Sequence, residues 1–158
     1  MLAYPLGQWL LYCLVSGLLA ALLMNIPMYV QPVGYRPAFV AAAGATGQDP
    51  GEVETALAVA VHHVTGIAAA LLYGGIVAAL AAVLPTALVL NGIPTIPHLV
   101  GVVGVTLFIY YFFERIAMPR AGGSLQTEAE PIVRQWALST FIYGTTLGLS
   151  LPVLVTQF

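Results

Sequence analysis

The chain has 158 residues, of which 60% are hydrophobic and 6% charged, with a formal net charge of −2. A surface facing water carries roughly 25% charged residues, so this composition excludes an ordinary soluble domain and makes a bilayer the natural solvent. Lysine is absent and the four cations are Arg36, Arg115, Arg120 and Arg134, which leaves no basic patch for nucleic acid.

The first apolar run covers about residues 8–30. No basic segment precedes it and no A-x-A-like cleavage site follows it, so it reads as a retained span rather than a removed signal. Trp9 stands near its outer end, where an aromatic belt belongs. Cys13, the single cysteine, has no intrachain partner and reads as a small apolar filler. Asn25 and Pro27 come near the other end, and Pro27 must free the carbonyl of Leu23 and bend or end the helix. Between Pro37 and Gln48, "PAFVAAAGATGQ" is too short to span and is expected on or near the membrane surface.

The second span covers about residues 56–84. The stretch "DPGE" predicts its start, with Asp49 as N-cap, Pro50 at the first helical position and Glu52 at the third. His62 and His63 open its apolar part. Adjacent helical residues point about 100° apart, so one of the two faces inward, and their spacings from Gly66 do not separate them. Gly66, Ala70, Gly74, Ala78 and Ala82 then follow at intervals of four. Pro85, Pro94 and Pro97 shape the next loop, and His98 opens the third span at about 98–118. Glu114 and Arg115 lie one turn before Pro119. The fourth span covers about 136–156, preceded by "TEAEP", where Thr127 or Glu130 would cap and Pro131 would sit just inside. The helix starts with Arg134 and Gln135, Trp136 stands near the span's end as a second member of the aromatic belt, and Thr140, Gly144 and Gly148 follow, again at intervals of four.

These runs lack the two-residue alternation of a barrel strand. The fold class is therefore all-α: a single polytopic domain of four transmembrane helices in a bundle. A shift of 70 positions lays "LLYGG" over "FIYGT", so that Gly74 meets Gly144, Ala70 meets Thr140 and Ala78 meets Gly148. The match looks like a parallel duplication of a helical hairpin. Small residues at this spacing let helices approach closely in lipid, so the second and fourth helices are expected to meet at the bundle centre. All four arginines fall in or beside loops 31–55 and 119–135, which places those loops in the cytoplasm and both termini outside.

With that orientation Asn25, His62, His63, Glu114, Arg115 and Arg134 share one layer near the inner boundary. One reading makes them interfacial anchors at headgroup level. The other makes the layer a ligand or proton-relay site, with Glu114 as the carboxylate that orients an imidazole. Haem would need histidines from two helices at one depth, and His98 lies on the opposite side from His62 and His63; ligation by one histidine with Met118 is the alternative. No cofactor is expected, and two adjacent histidines with Glu114 lack a metal-ligand spacing. No phosphate loop, nucleophile elbow or HExxH motif is present.

The segments "SGLLAALLMNIPMY", "HHVTGIAAALLYG" and Arg-Ile-Ala-Met-Pro resemble the small uncharacterised four-span membrane proteins of salt-loving archaea. The resemblance implies the four-helix fold and brings no activity. The leading expectation is a non-catalytic accessory or structural subunit in the cell membrane, packing with itself or another membrane protein. The rival is a small transport, proton-relay or haem-bearing redox module using the histidine layer, and an enzyme acting on lipid is a third class.

Overall fold

A computed structural model describes residues 3–85, 87–121, 125 and 128–157. Among them four helical segments are long and apolar enough to cross a membrane: Leu6–Val30, Thr55–Val83, Thr95–Arg120 and Ala129–Leu154. The first is α1 (Leu6–Leu23) followed after Met24 by α2 (Asn25–Val30). The break falls where Pro27 denies a bond to the carbonyl four residues back. A turn leads to α3 (Arg36–Thr46), which ends on Gly47 at φ 76°, the left-handed conformation that glycine adopts without steric cost. It does not simply lie on a surface: Pro37, Ala38, Val40, Ala42 and Ala43 are buried against the bundle.

The second span is α4 (Thr55–Val83), and it starts five residues later than "DPGE" predicts. Asp49 accepts from the Gly51 backbone N–H at 2.9 Å, so this motif closes a turn instead of capping a helix. Of the two caps expected for the last span, Glu130 is not one. Glu128 occupies the N-cap of α7 (Ala129–Leu154) without a side-chain bond, Glu130 lies inside the first turn, and Thr127 lies outside the described residues.

A hairpin of β1 (Val89–Leu90) and β2 (Ile93–Pro94) joins α4 to α5 (Thr95–Phe112). Its tip is Asn91-Gly92, with φ 50° and 80°, a turn that matches the twist of paired strands. Tyr4 donates to the Asn91 carbonyl at 2.5 Å, and Asn91 Nδ2 donates to the Pro152 carbonyl at 2.9 Å, so the tip is clasped from both ends of the chain. A Cβ at Gly92 would stand 2.7 Å from the Tyr4 hydroxyl. Gly92→Ala is therefore expected to cost about 1–2 kcal/mol, measured by unfolding in detergent micelles.

After α5 the chain makes one π-helical turn (Phe113–Ala117) and a last helical turn, α6 (Met118–Arg120). The Met118 N–H bonds the Phe113 carbonyl five residues back. Pro119 accounts for the widening: its ring would press on the Arg115 carbonyl in a regular helix, and it has no N–H to give.

The four spans stand in a ring, α1 beside α4 and α7, and α5 beside α4 and α7. Neighbours run antiparallel. One end of the bundle, here the arginine end, carries α3, α6 and the start of α7; the other carries the hairpin. The expectation that the second and fourth helices pack together at the centre is therefore corrected. A Cβ at Gly66 would stand 2.8 Å from that of Ala21 and one at Gly74 2.7 Å from Cys13 Sγ, both on α1. One at Gly144 would collide with Thr106 on α5, and one at Gly148 would lie 3.4 Å from Val102. Each glycine series thus closes its own hairpin, and α4 and α7 touch across the diagonal through Tyr143. The α4 series does not form one interface either. Steps of four advance about 40° beyond a full turn, so the stripe drifts from buried Gly66, Ala70 and Gly74 through half-buried Ala78 to exposed Ala82. Thr140 is buried and bonds its own helix, at the Trp136 carbonyl, 2.8 Å away.

Candidate functional site

Buried polar rings link α4 to each of the other three spans and α5 to α7. Trp9 on α1 donates to the Gly74 carbonyl on α4 at 3.1 Å. Tyr143 on α7 donates to the Gly66 carbonyl on α4 at 2.6 Å. Trp136 on α7 reaches the Ile109 carbonyl on α5 at 3.4 Å and stacks on Phe113, ring centroids 4.4 Å apart. Both tryptophans are thus core residues rather than members of a lipid-facing belt. A helical carbonyl has a second lone pair, and a glycine leaves it reachable, so such bonds form without breaking either helix.

Two nodes stand out. Near the hairpin end, Tyr73 donates to His98 Nδ1 at 2.6 Å, and His98 Nε2 donates to the Gly148 carbonyl at 3.1 Å. A carbonyl only accepts, so the proton sits on Nε2 and Nδ1 is the acceptor. His98 thereby ties α4, α5 and α7 together at a buried position. At the arginine end, Tyr35 donates to Asn25 Oδ1, and Asn25 Nδ2 donates to His63 Nε2 at 3.2 Å. His63 Nδ1 donates to the Val59 carbonyl at 2.8 Å, which again fixes the neutral tautomer. Burial, with the Tyr29 phenol second, pushes the Tyr35 hydroxyl up to about 12, so it remains a donor at any physiological pH.

The structure separates the two neighbouring histidines. His62 is the inward one, 3% exposed, and His63 is half-buried. His62 Nε2 faces the Ala21 carbonyl at 3.4 Å, its ring stands edge-on to His63 at 5.1 Å, and Nδ1 has no hydrogen-bond partner among the described residues.

Of the six residues placed in one layer by sequence, Asn25, His62 and His63 come together. Glu114 and Arg115 do not join them: they pair with each other at 3.5 Å on the π-helical turn. Glu114 is therefore not the carboxylate partner of either histidine. Arg134 is exposed on α7, and Arg36 pairs instead with Glu128, tying the start of α3 to that of α7. Tyr35, Tyr73, His98 and Tyr143 were not expected at a site. No three His, Cys, Asp or Glu residues among those described are grouped so as to hold a metal ion. Both nitrogens of His63 and of His98 are committed, and the position of Tyr73 sets His98 about 16 Å along α4 from His62. One porphyrin cannot use both levels.

A cleft of about 470 Å³ opens beside His62, between α4 and α5, with α3 closing its arginine end. At the hairpin end α4 and α5 are in contact, where a Cβ at Gly101 would meet Val77 at 2.8 Å. Toward the arginine end the cleft opens beside the small side chains of Ala68 and Ala69. The walls are mainly apolar, and the volume is that of an ordinary small-molecule site.

Comparison with protein-family models, with curated proteins and with solved structures finds no match to this chain.

Proposed function

We propose that the protein is a non-catalytic integral membrane protein, an accessory or structural subunit that packs with itself or with another membrane protein. The observation that carries this reading is the destination of its buried polar rings: Trp9, Trp136, Tyr143 and His98 all bond main-chain carbonyls of another helix. A ring held in this way fixes helix register, and its protons and lone pairs are not offered to a substrate. We place the arginine end in the cytoplasm and both termini outside, since the four arginines belong to the segments at that end. The likeness to four-span proteins of salt-loving archaea belongs to the same reading and supplies a fold without an activity.

One observation favours a second reading, a proton relay: the chain from Tyr35 through Asn25 to His63, with His62 beside it. Asn25→Ala separates the two. A structural role predicts a loss of about 1–3 kcal/mol in unfolding free energy from the orphaned Tyr35 and His63 groups. Vesicles holding the native protein would then acidify no faster than empty ones under a pH gradient. Proton flux that requires the native protein and disappears in a stably folded Asn25→Ala variant would replace the structural reading with the relay.

A further inference from the structure

The cleft between α4 and α5 differs from the polar nodes in being open and only partly satisfied. Its rim toward the bilayer is formed by Leu72, Phe108 and Phe112, which are 43%, 50% and 47% exposed. Hydrocarbon chains therefore reach it sideways, without passing through water. Along α4 it runs from Val61 to Leu72, about 16 Å. Its polarity is not uniform. The hydroxyls of Thr65 and Tyr143 are committed to carbonyls. Two groups are not. Arg120 lines the cleft, is exposed, and has no carboxylate partner among the described residues, whereas Arg36 and Arg115 have one each. His62, almost wholly buried in the wall, keeps Nδ1 as an unused acceptor because Nε2 faces a carbonyl.

We propose that this cleft binds an anionic lipid bearing a hydroxyl group, entered from the bilayer, with the acyl or alkyl chain between α4 and α5, the phosphate at Arg120 and a hydroxyl donating to His62. An apolar slot needs a chain, the unpaired cation selects an anion, and the unused acceptor on the cleft wall can take a donor. A free phosphate would leave the apolar length empty, and a zwitterionic lipid would set a second cation near Arg120. The proposal does not depend on the accessory reading, since a lipid can occupy this cleft whatever the protein packs against.

Trp136 lines the cleft and Trp9 packs against Gly74 on the far face of α4, which gives a local readout. The Trp9→Phe protein, reconstituted in vesicles, reports Trp136 fluorescence alone. Chain-brominated phosphatidylglycerol is expected to quench it about fivefold more effectively than chain-brominated phosphatidylcholine at equal mole fraction, the preference expected of one cationic contact at a membrane surface. Arg120→Gln, at an exposed position, should bring the ratio to one, while Arg115→Gln and Arg134→Gln should leave it. Ala68→Phe, also exposed and on the cleft wall, should reduce quenching by both lipids. Equal quenching by the two lipids in the unaltered cleft would overturn the proposal. So would a preference that survives Arg120→Gln, or quenching untouched by Ala68→Phe.

Discussion

Gly17→Ala is expected to destabilise the bundle by about 2–3 kcal/mol, and Ala70→Gly in the same chain is expected to restore most of the loss. A Cβ at Gly17 would collide with that of Ala70 and stand 3.4 Å from the Ile67 Cα. Neither neighbour is a flexible side-chain tip that can swing away, so α1 and α4 must part along their length. Overpacking of this kind costs roughly 1–3 kcal/mol, and of the three glycines between α1 and α4 (Gly17, Gly66 and Gly74) Gly17 leaves the least room for a methyl. Moving the methyl from residue 70 to residue 17 keeps the total volume. The double variant should therefore be more stable than Gly17→Ala alone, even though glycine inside a helix costs about 1 kcal/mol. A double-mutant cycle by unfolding in micelles reads the coupling directly. Simple additivity of the two losses would mean that α1 and α4 do not meet at this register.

The other large effect is at His98. His98→Ala is expected to cost about 3 kcal/mol, from the cavity left by a buried ring and from the orphaned Tyr73 hydroxyl and Gly148 carbonyl. Hydrogen bonds between membrane helices average nearer 0.6 kcal/mol than the larger values once expected, so most of the loss is packing. Tyr73→Phe, which keeps the ring and removes one bond, should cost about 1 kcal/mol or less. If both substitutions cost the same, the bond outweighs the packing and this balance is wrong. If neither has an effect, His98 does not join the three helices.

Much of the fold was legible because the bilayer imposes a simple rule on sequence. Runs of some 20 apolar residues located all four spans; seven of the eight ends fall within three residues of the expected ones, and the last helix starts earlier, at Ala129 instead of Trp136. The break near Pro27 was legible for the same kind of local reason. What failed was partner choice and local bonding. Glycine at intervals of four marks a close approach but does not say to which helix, and Gly74 and Gly144 each turned out to face a different partner from the one expected. Asp49 has an equal claim to a turn and to a cap, and only the observed bond to the Gly51 N–H decides between them. The stack of Phe113 on Trp136, at the start of the π-helical turn, is a long-range contact that spacing does not reveal.

The candidate site was half legible. Asn25 and His63 were placed at one depth by counting from the span ends, and they bond each other. Tyr35 was not anticipated because it sits in the 31–35 turn, where nothing in "QPVGY" marks a side chain that reaches back to Asn25. His98 was visible but was weighed only as a haem ligand, and its bond to Tyr73 comes from the approach of α5 to α4 at Gly101. Glu114 was placed with the histidines by depth alone. The π-helical turn changes the direction of residues along that segment, and Glu114 pairs with Arg115 instead.

The most direct test of a non-catalytic accessory role is a visible absorption spectrum of the gently purified protein, oxidised and dithionite-reduced, with the same sample run on a native gel. The account predicts a featureless spectrum and a band above monomer size that contains a second copy or another membrane protein. A Soret band with an α-band on reduction would contradict it, making the protein a redox subunit, and a colourless monomer would contradict the packing role.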